Sequence, residues 1–178
     1  MTNQFEHYQS HPPRCIEPYA TQPFGLEPVS FDGHGDDSVN VGFSLACKCG
    51  SHHHLLSGLT WRSSEDADPA IIGPITTECV KCKTGHVLFD TDKHGYDAEL
   101  GHGSSYASSE GTLGTLECQN HPEREMEILV RFEYPTDLFG EDFAEYRGRE
   151  QDLFTWVSIY GRCKECGQIW TLSEFECA

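Results

Sequence analysis

Nine cysteines and ten histidines are spread over 178 residues, and eight of these side chains fall into two repeating sets. Cys47 and Cys49 read C-x-C-G, with Cys79 and Cys82 following as C-x2-C; Cys118 and His121 read C-x2-H, with Cys163 and Cys166 following as C-x2-C-G. Close pairs of this kind sit on tight turns that aim both side chains at one point, and tetrahedral zinc takes four such thiolates or imidazoles in a structural site. The spacing predicts two zinc ions, one on Cys47, Cys49, Cys79 and Cys82, the other on Cys118, His121, Cys163 and Cys166. The first set has an alternative. Cys49-Gly-Ser-His52 repeats the spacing of Cys118-Gln-Asn-His121, a register in which Cys47 aligns with Leu116 as a core residue and His52 becomes the ligand. Cys47 is preferred because a thiolate needs no particular tautomer to bind.

Other residues could do acid/base or metal chemistry. His52, His53 and His54 are consecutive, and on a strand successive side chains alternate faces, so the three cannot converge. They read as a solvated strand start. His86, His94, Tyr96, Asp97 and His102 carry acid/base groups, but the Gly-Tyr-Asp segment reads as a turn that bonds its own backbone, and no nucleophile stands beside a paired base. Both zinc sets fill four positions from protein, leaving none for water or substrate. The sequence therefore predicts no catalytic residues and no enzyme.

The metal turns must be held by strands. Val41, Phe43, Leu45 and Cys47 recur with period two and lead into the first turn; Leu55 to Trp61 leaves it, Ile71 to Thr77 enters the next, and His86 to Phe89 returns. The plan then repeats: Leu113 to Glu117 enters Cys118, Met126 to Tyr134 leaves, Leu153 to Tyr160 enters Cys163 and Ile169 to Leu172 leaves. The predicted class is mostly β, two zinc-ribbon-like antiparallel units in tandem with a short helical insertion in the second. Residues 39–100 form the first unit, 101–112 a Gly/Ser-rich linker and 113–178 the second. Residues 1–38 are a Pro/Gly/His-rich arm whose prolines, from Pro12 to Pro28, are too close for a helix or central strand. That arm is expected to lie extended over the body or to be partly disordered. The insertion is Asp137 to Asp152, with Phe139, Phe143 and Tyr146 spaced for one inward face and Glu141, Asp142 and Glu145 for the outward one. Units this short bury too little on their own, so a metal staple is the expected source of stability.

At these turns the chain resembles zinc-ribbon proteins, in which two metal turns are joined by antiparallel strands. Cys79-Val-Lys-Cys82, Leu88-Phe89-Asp90 with His94-Gly95-Tyr96-Asp97, and Phe154-Thr-Trp156 before Gly161-Arg-Cys163 are similar to strings in bacterial zinc-ribbon proteins. The resemblance covers most of 39–178 and implies a fold; it implies no activity. C-x2-H at the second site departs from the usual pair of cysteines, with His121 the simplest fourth ligand.

Charge narrows the partner. Asp and Glu number 29 against 12 Lys and Arg, a formal net charge of -17. Seven ligand thiolates carry more charge than two divalent ions neutralise, so metal leaves the chain more acidic still. Such a field repels nucleic acid and attracts basic proteins. Glu65, Asp66 and Asp68 in the first unit, and Glu141, Asp142 and Glu145 in the second, occupy matching places between metal turns. They are the expected docking groups for a basic protein partner. One concrete form is an inhibitor or immunity protein for a basic enzyme such as a nuclease. Lys81, Lys83, Arg162 and Lys164 beside the metal turns keep a nucleic-acid-binding ribbon as an alternative, and the histidines a metal-dependent hydrolase. No apolar run is long enough for a membrane span and no signal-peptide centre is present. A cytoplasmic location is expected, where the two remaining cysteines, Cys15 and Cys177, stay thiols.

Overall fold

The computed structural model describes residues 3–25, 38–61, 70–102, 112–116, 118, 120–121 and 125–177. Its strands are β1 (Tyr19–Pro23), β2 (Ser38–Cys47), β3 (His53–Trp61), β4 (Ala70–Cys79), β5 (Gly85–Phe89), β6 (Thr112–Leu116), β7 (Met126–Pro135), β8 (Trp156–Cys163) and β9 (Ile169–Glu176). All nine join one antiparallel sheet. Two short α-helices, α1 (Gln4–Ser10) and α2 (Tyr96–Glu99), and three 3-10 turns complete the described chain. Among the described residues no helix is long and apolar enough to cross a membrane.

Pairing follows the apolar pattern. Val41, Phe43 and Leu45 on β2 are buried, and β2 runs antiparallel to β7 from Ser38 opposite Pro135 to Leu45 opposite Ile128. The line then continues past the first metal turn: His53 lies opposite Glu127 and His54 opposite Met126, and β3 goes on against β6 from Leu56–Leu116 to Thr60–Thr112. Thus β2 and β3 behave as one long strand interrupted by Cys47 and Cys49. Likewise β6 and β7 behave as one long strand interrupted by Cys118 and His121. These two interrupted strands are antiparallel to each other, and strand pairing runs between the two cysteine-bearing stretches as well as within them. On the outer flanks β4 and β5 pair beside β3, and β8 and β9 beside β7.

The sheet curls until its flanks meet. Phe89 at the end of β5 lies 4.9 Å from Phe175 on β9 between ring centroids, and Phe154 lies 4.7 Å from Phe132. Met126, Ile128, Val130, Phe132 and Tyr134 face this aromatic core from β7 and are each at most 1% exposed.

Residues 3–25 differ from the expected extended arm. A seven-residue helix fits ahead of Pro12, capped by Asn3, whose side chain accepts the Phe5 backbone N–H at 3.1 Å. Tyr8 is fully buried and stacks on Tyr134 with centroids 3.8 Å apart. The 3-10 turn Arg14–Ile16 buries Cys15 and Ile16, and β1 forms an outer strand against β2, with Pro23 at its end. Prolines forbid a long helix or a central strand, and neither is used. The insertion also differs in detail. Glu141–Tyr146 is a 3-10 helix kinked at Phe143, so the α-helical spacing does not hold: Phe143 meets Tyr96, while Phe139 is 43% exposed.

Ile16 has no exposure, so Ile16→Ala should cost about 2–5 kcal/mol in chemical unfolding of the metal-loaded protein. A change below ~0.5 kcal/mol would mean that the N-terminal segment adds nothing to the core.

Candidate metal centres

Each metal turn is built by its backbone. Cys79 ends β4 and Cys163 ends β8, and both turns close in the same way: the Lys83 N–H donates to the Cys79 carbonyl at 2.9 Å, the Gly167 N–H to the Cys163 carbonyl at 2.9 Å. The cysteine N–H groups in turn donate to Thr84 and Gln168 carbonyls at 2.9 and 3.0 Å. Such a turn needs a left-handed residue at its fifth position. Gly167 takes φ +69 without cost, whereas Lys83 takes φ +62 at a cost of roughly 1 kcal/mol. At the first turn Gly50, at φ +84, donates to the Cys47 carbonyl at 2.8 Å.

These turns gather two groups of donor atoms. Cys47, Cys49, Cys79 and Cys82 have their sulfurs within 4.8 Å of one another, with Cys47 to Cys82 at 3.5 Å and Cys49 to Cys79 at 3.6 Å. Cys118, His121, Cys163 and Cys166 form the second group, with His121 Nδ1 at 3.8 Å from both the Cys118 and Cys163 sulfurs. A tetrahedron with zinc–sulfur bonds of ~2.3 Å has sulfurs about 3.8 Å apart, whereas a disulfide would bring them to ~2.05 Å. All nine cysteines are free. Both groups therefore fit a single metal ion each, with four donors around it. In each group the cysteine ending a strand is buried and Cys82 or Cys166 is exposed, which puts the ion position at the rim of the sheet.

The thiols are prepared to different degrees. The Thr84 hydroxyl, 3.3 Å from the Cys82 sulfur, and the Thr84 backbone N–H hold Cys82 down to about 6. The Cys166 backbone N–H holds Cys163 down to about 7. Cys47 meets the Cys49 backbone N–H, which would lower it, but burial and the facing thiols Cys82, Cys49 and Cys79 push it up to about 12. Bound metal overrides this last effect, because a coordinating thiol is deprotonated by the ion.

Compared with known proteins, the chain matches no family model, no curated protein and no solved structure. The metal reading therefore stands on the two donor groups.

The other candidate residues fall apart. His52 is exposed and outside the first group, which contains Cys47. His54 is buried opposite Cys79, edge-on to Tyr19 at 5.9 Å, and its ring nitrogens have no partner among the described residues. Tyr96 and Asp97 turn their backbone N–H groups to the Phe154 and Cys177 carbonyls. Among the described residues, no third group of His, Cys, Asp or Glu brings three ligand atoms together. Glu141, Asp142 and Glu145 are exposed on the kinked 3-10 helix, while Glu65, Asp66 and Asp68 lie outside the described residues. Sequence spacing misses Thr84, which only the closed turn carries to Cys82.

Native mass spectrometry of Cys47→Ser should show a weakened first site under chelator competition, and His52→Ala an unchanged one. The reverse would make His52 the ligand. Cys82→Ser and Cys166→Ser should each release one ion and keep the other; loss of both ions from either change would contradict two separate four-donor groups.

Proposed function

We propose that the protein is a zinc-stabilised interaction module of zinc-ribbon type whose acidic surface engages a basic protein. The concrete form is an inhibitor or immunity protein that neutralises a basic cytoplasmic enzyme such as a nuclease, with carboxylates taking the place of phosphates. Zinc is the metal that best suits a four-thiolate set and a three-thiolate, one-imidazole set, and a full set of four protein donors is the mark of a structural ion. No open coordination position is left for substrate, which weighs against a catalytic metal.

One observation carries the choice of partner. Of the four cations beside the metal turns, three are paired with carboxylates: Lys83 with Glu78 at 3.6 Å, Arg162 with Glu127 at 2.8 Å and Lys164 with Glu125 at 2.9 Å. A nucleic-acid surface needs such cations for phosphates. Here the carboxylates take that place, and the net charge of -17 works in the same direction. Glu141, Asp142 and Glu145, by contrast, stand exposed around a kink that also presents Phe143 and Tyr146 in part. Acidic groups beside aromatics suit a basic partner, the charges steering encounter and the rings supplying area.

Partners captured from the native host supply the ligand for the test. Glu141→Lys, Asp142→Lys and Glu145→Lys together should slow association with that partner about tenfold or more at low salt, flatten the salt dependence of the on-rate and leave both metal ions in place. An unchanged on-rate accompanied by a gain in DNA or RNA affinity would overturn the acidic-docking reading.

A further inference from the structure

Arg14 and Lys93 line one cavity away from both metal groups, and Arg149 is tied to it through the Glu99 carboxylate that it shares with Arg14. There the 3-10 turn Arg14–Ile16, the turn after β5, helix α2 and the 3-10 turn Glu150–Asp152 surround a cavity of ≈ 300 Å³ lined by Arg14, Lys93, His94, Glu99, Asp152 and Phe154. That volume is about ten waters' share of bulk liquid and lies at the lower end of ligand pockets, ~300–1,000 Å³.

Both carboxylates that line this cavity are held by Arg14. Both Asp152 oxygens are engaged by Arg14, one accepting its backbone N–H at 2.9 Å and the other its Nε at 2.6 Å. Both Glu99 oxygens are engaged too, Oε1 by Arg14 Nη2 and Oε2 by Arg149 Nη1 at 3.1 Å. Lys93 commits one of its three donors to Asp90, at 2.6 Å. His94 Nδ1 accepts the Asp90 backbone N–H at 3.0 Å, which puts the neutral ring's proton on Nε2. Burial lowers the His94 pKa and so favours the neutral ring. Each of these four carboxylate oxygens thus already accepts one donor, while the bonds above leave the remaining Lys93 protons, the His94 Nε2–H and the Arg14 Nη1 protons as donors for a ligand. A cation would meet carboxylates already facing guanidinium groups; an acceptor-bearing ligand would meet the remaining donors of Lys93, His94 and Arg14.

We propose that this cavity binds a small oxyanion, a carboxylate or a phosphate, held by Lys93 and His94 with Arg14 fixed behind them by its two carboxylates. The ligand would bridge the N-terminal segment, through Arg14, to the turn after β5. Binding should therefore raise the unfolding temperature, since only the folded chain has the site.

The test titrates inorganic phosphate and, separately, acetate into metal-loaded protein at constant ionic strength, followed by NMR shifts of the His94 ring and by calorimetry. Saturable one-to-one binding of either probe is expected, weakened several-fold by Lys93→Met and again when His94→Gln is added, with both metal ions retained. The tighter probe identifies the ligand class. Lys93 is exposed, and circular dichroism of Lys93→Met checks that losing its bond to Asp90 leaves the fold intact. Failure of both probes to saturate, or equal binding by wild type and both variants, overturns the site.

Discussion

Everything in this fold hangs on the antiparallel pairing of two interrupted strands, β2 with β3 on one side and β6 with β7 on the other. Strand β7 has neighbours along both edges, β2 and β3 on one and β8 on the other, and its inward residues from Met126 to Tyr134 are sealed in the aromatic core. A one-residue slip would turn Ile128, Val130 and Phe132 to the opposite face. The register therefore fixes the core, and through Leu45–Ile128 and His53–Glu127 it also fixes where each strand may break to make a metal turn.

Those breaks are where the two four-donor groups lie. A strand interrupted by Cys47 and Cys49 leaves backbone groups of that stretch outside the ladder. The turn regains some of them by its own bonds, such as the Cys47 N–H to Ser51. The opposing hairpins at Cys79 and Cys163 bring the remaining donors, so an ion bound in either group would tie an interrupted strand to its flanking hairpin. A structural zinc in each group would contribute about 10–16 kcal/mol, comparable with the ~5–15 kcal/mol net stability of a whole domain, and would rank with the core as a source of order. The row His54, Cys79, Met126 and Cys163 crosses four strands and joins the two ends in one packed layer.

How much of this could be read from the sequence depended on distance along the chain. The period-two pattern at Val41, Phe43 and Leu45 and the C-x2-C hairpins are local and legible, since a strand face and a turn need only neighbouring residues. That β2 would pair with β7 is not local; it depends on matching two apolar faces that are far apart in sequence. The N-terminal segment shows the same limit. Its prolines gave true local exclusions, but Tyr8 finding Tyr134 and Arg14 finding Asp152 are tertiary matches. The 3-10 kink at Phe143 likewise broke a helical spacing that looked regular on paper. As for the metal groups, cysteine spacing pointed to the pairs and thiolate chemistry to Cys47 over His52, while the gathering of four donor atoms within 4.8 Å of one another needed the fold.

The most direct measurement is the metal content of protein purified without any chelator, by native mass spectrometry with elemental analysis. Two zinc ions per chain, removed only with loss of the folded signal, is the result this structure predicts. One ion or none in a chain that still unfolds cooperatively would contradict the view that the two four-donor groups hold the sheet together.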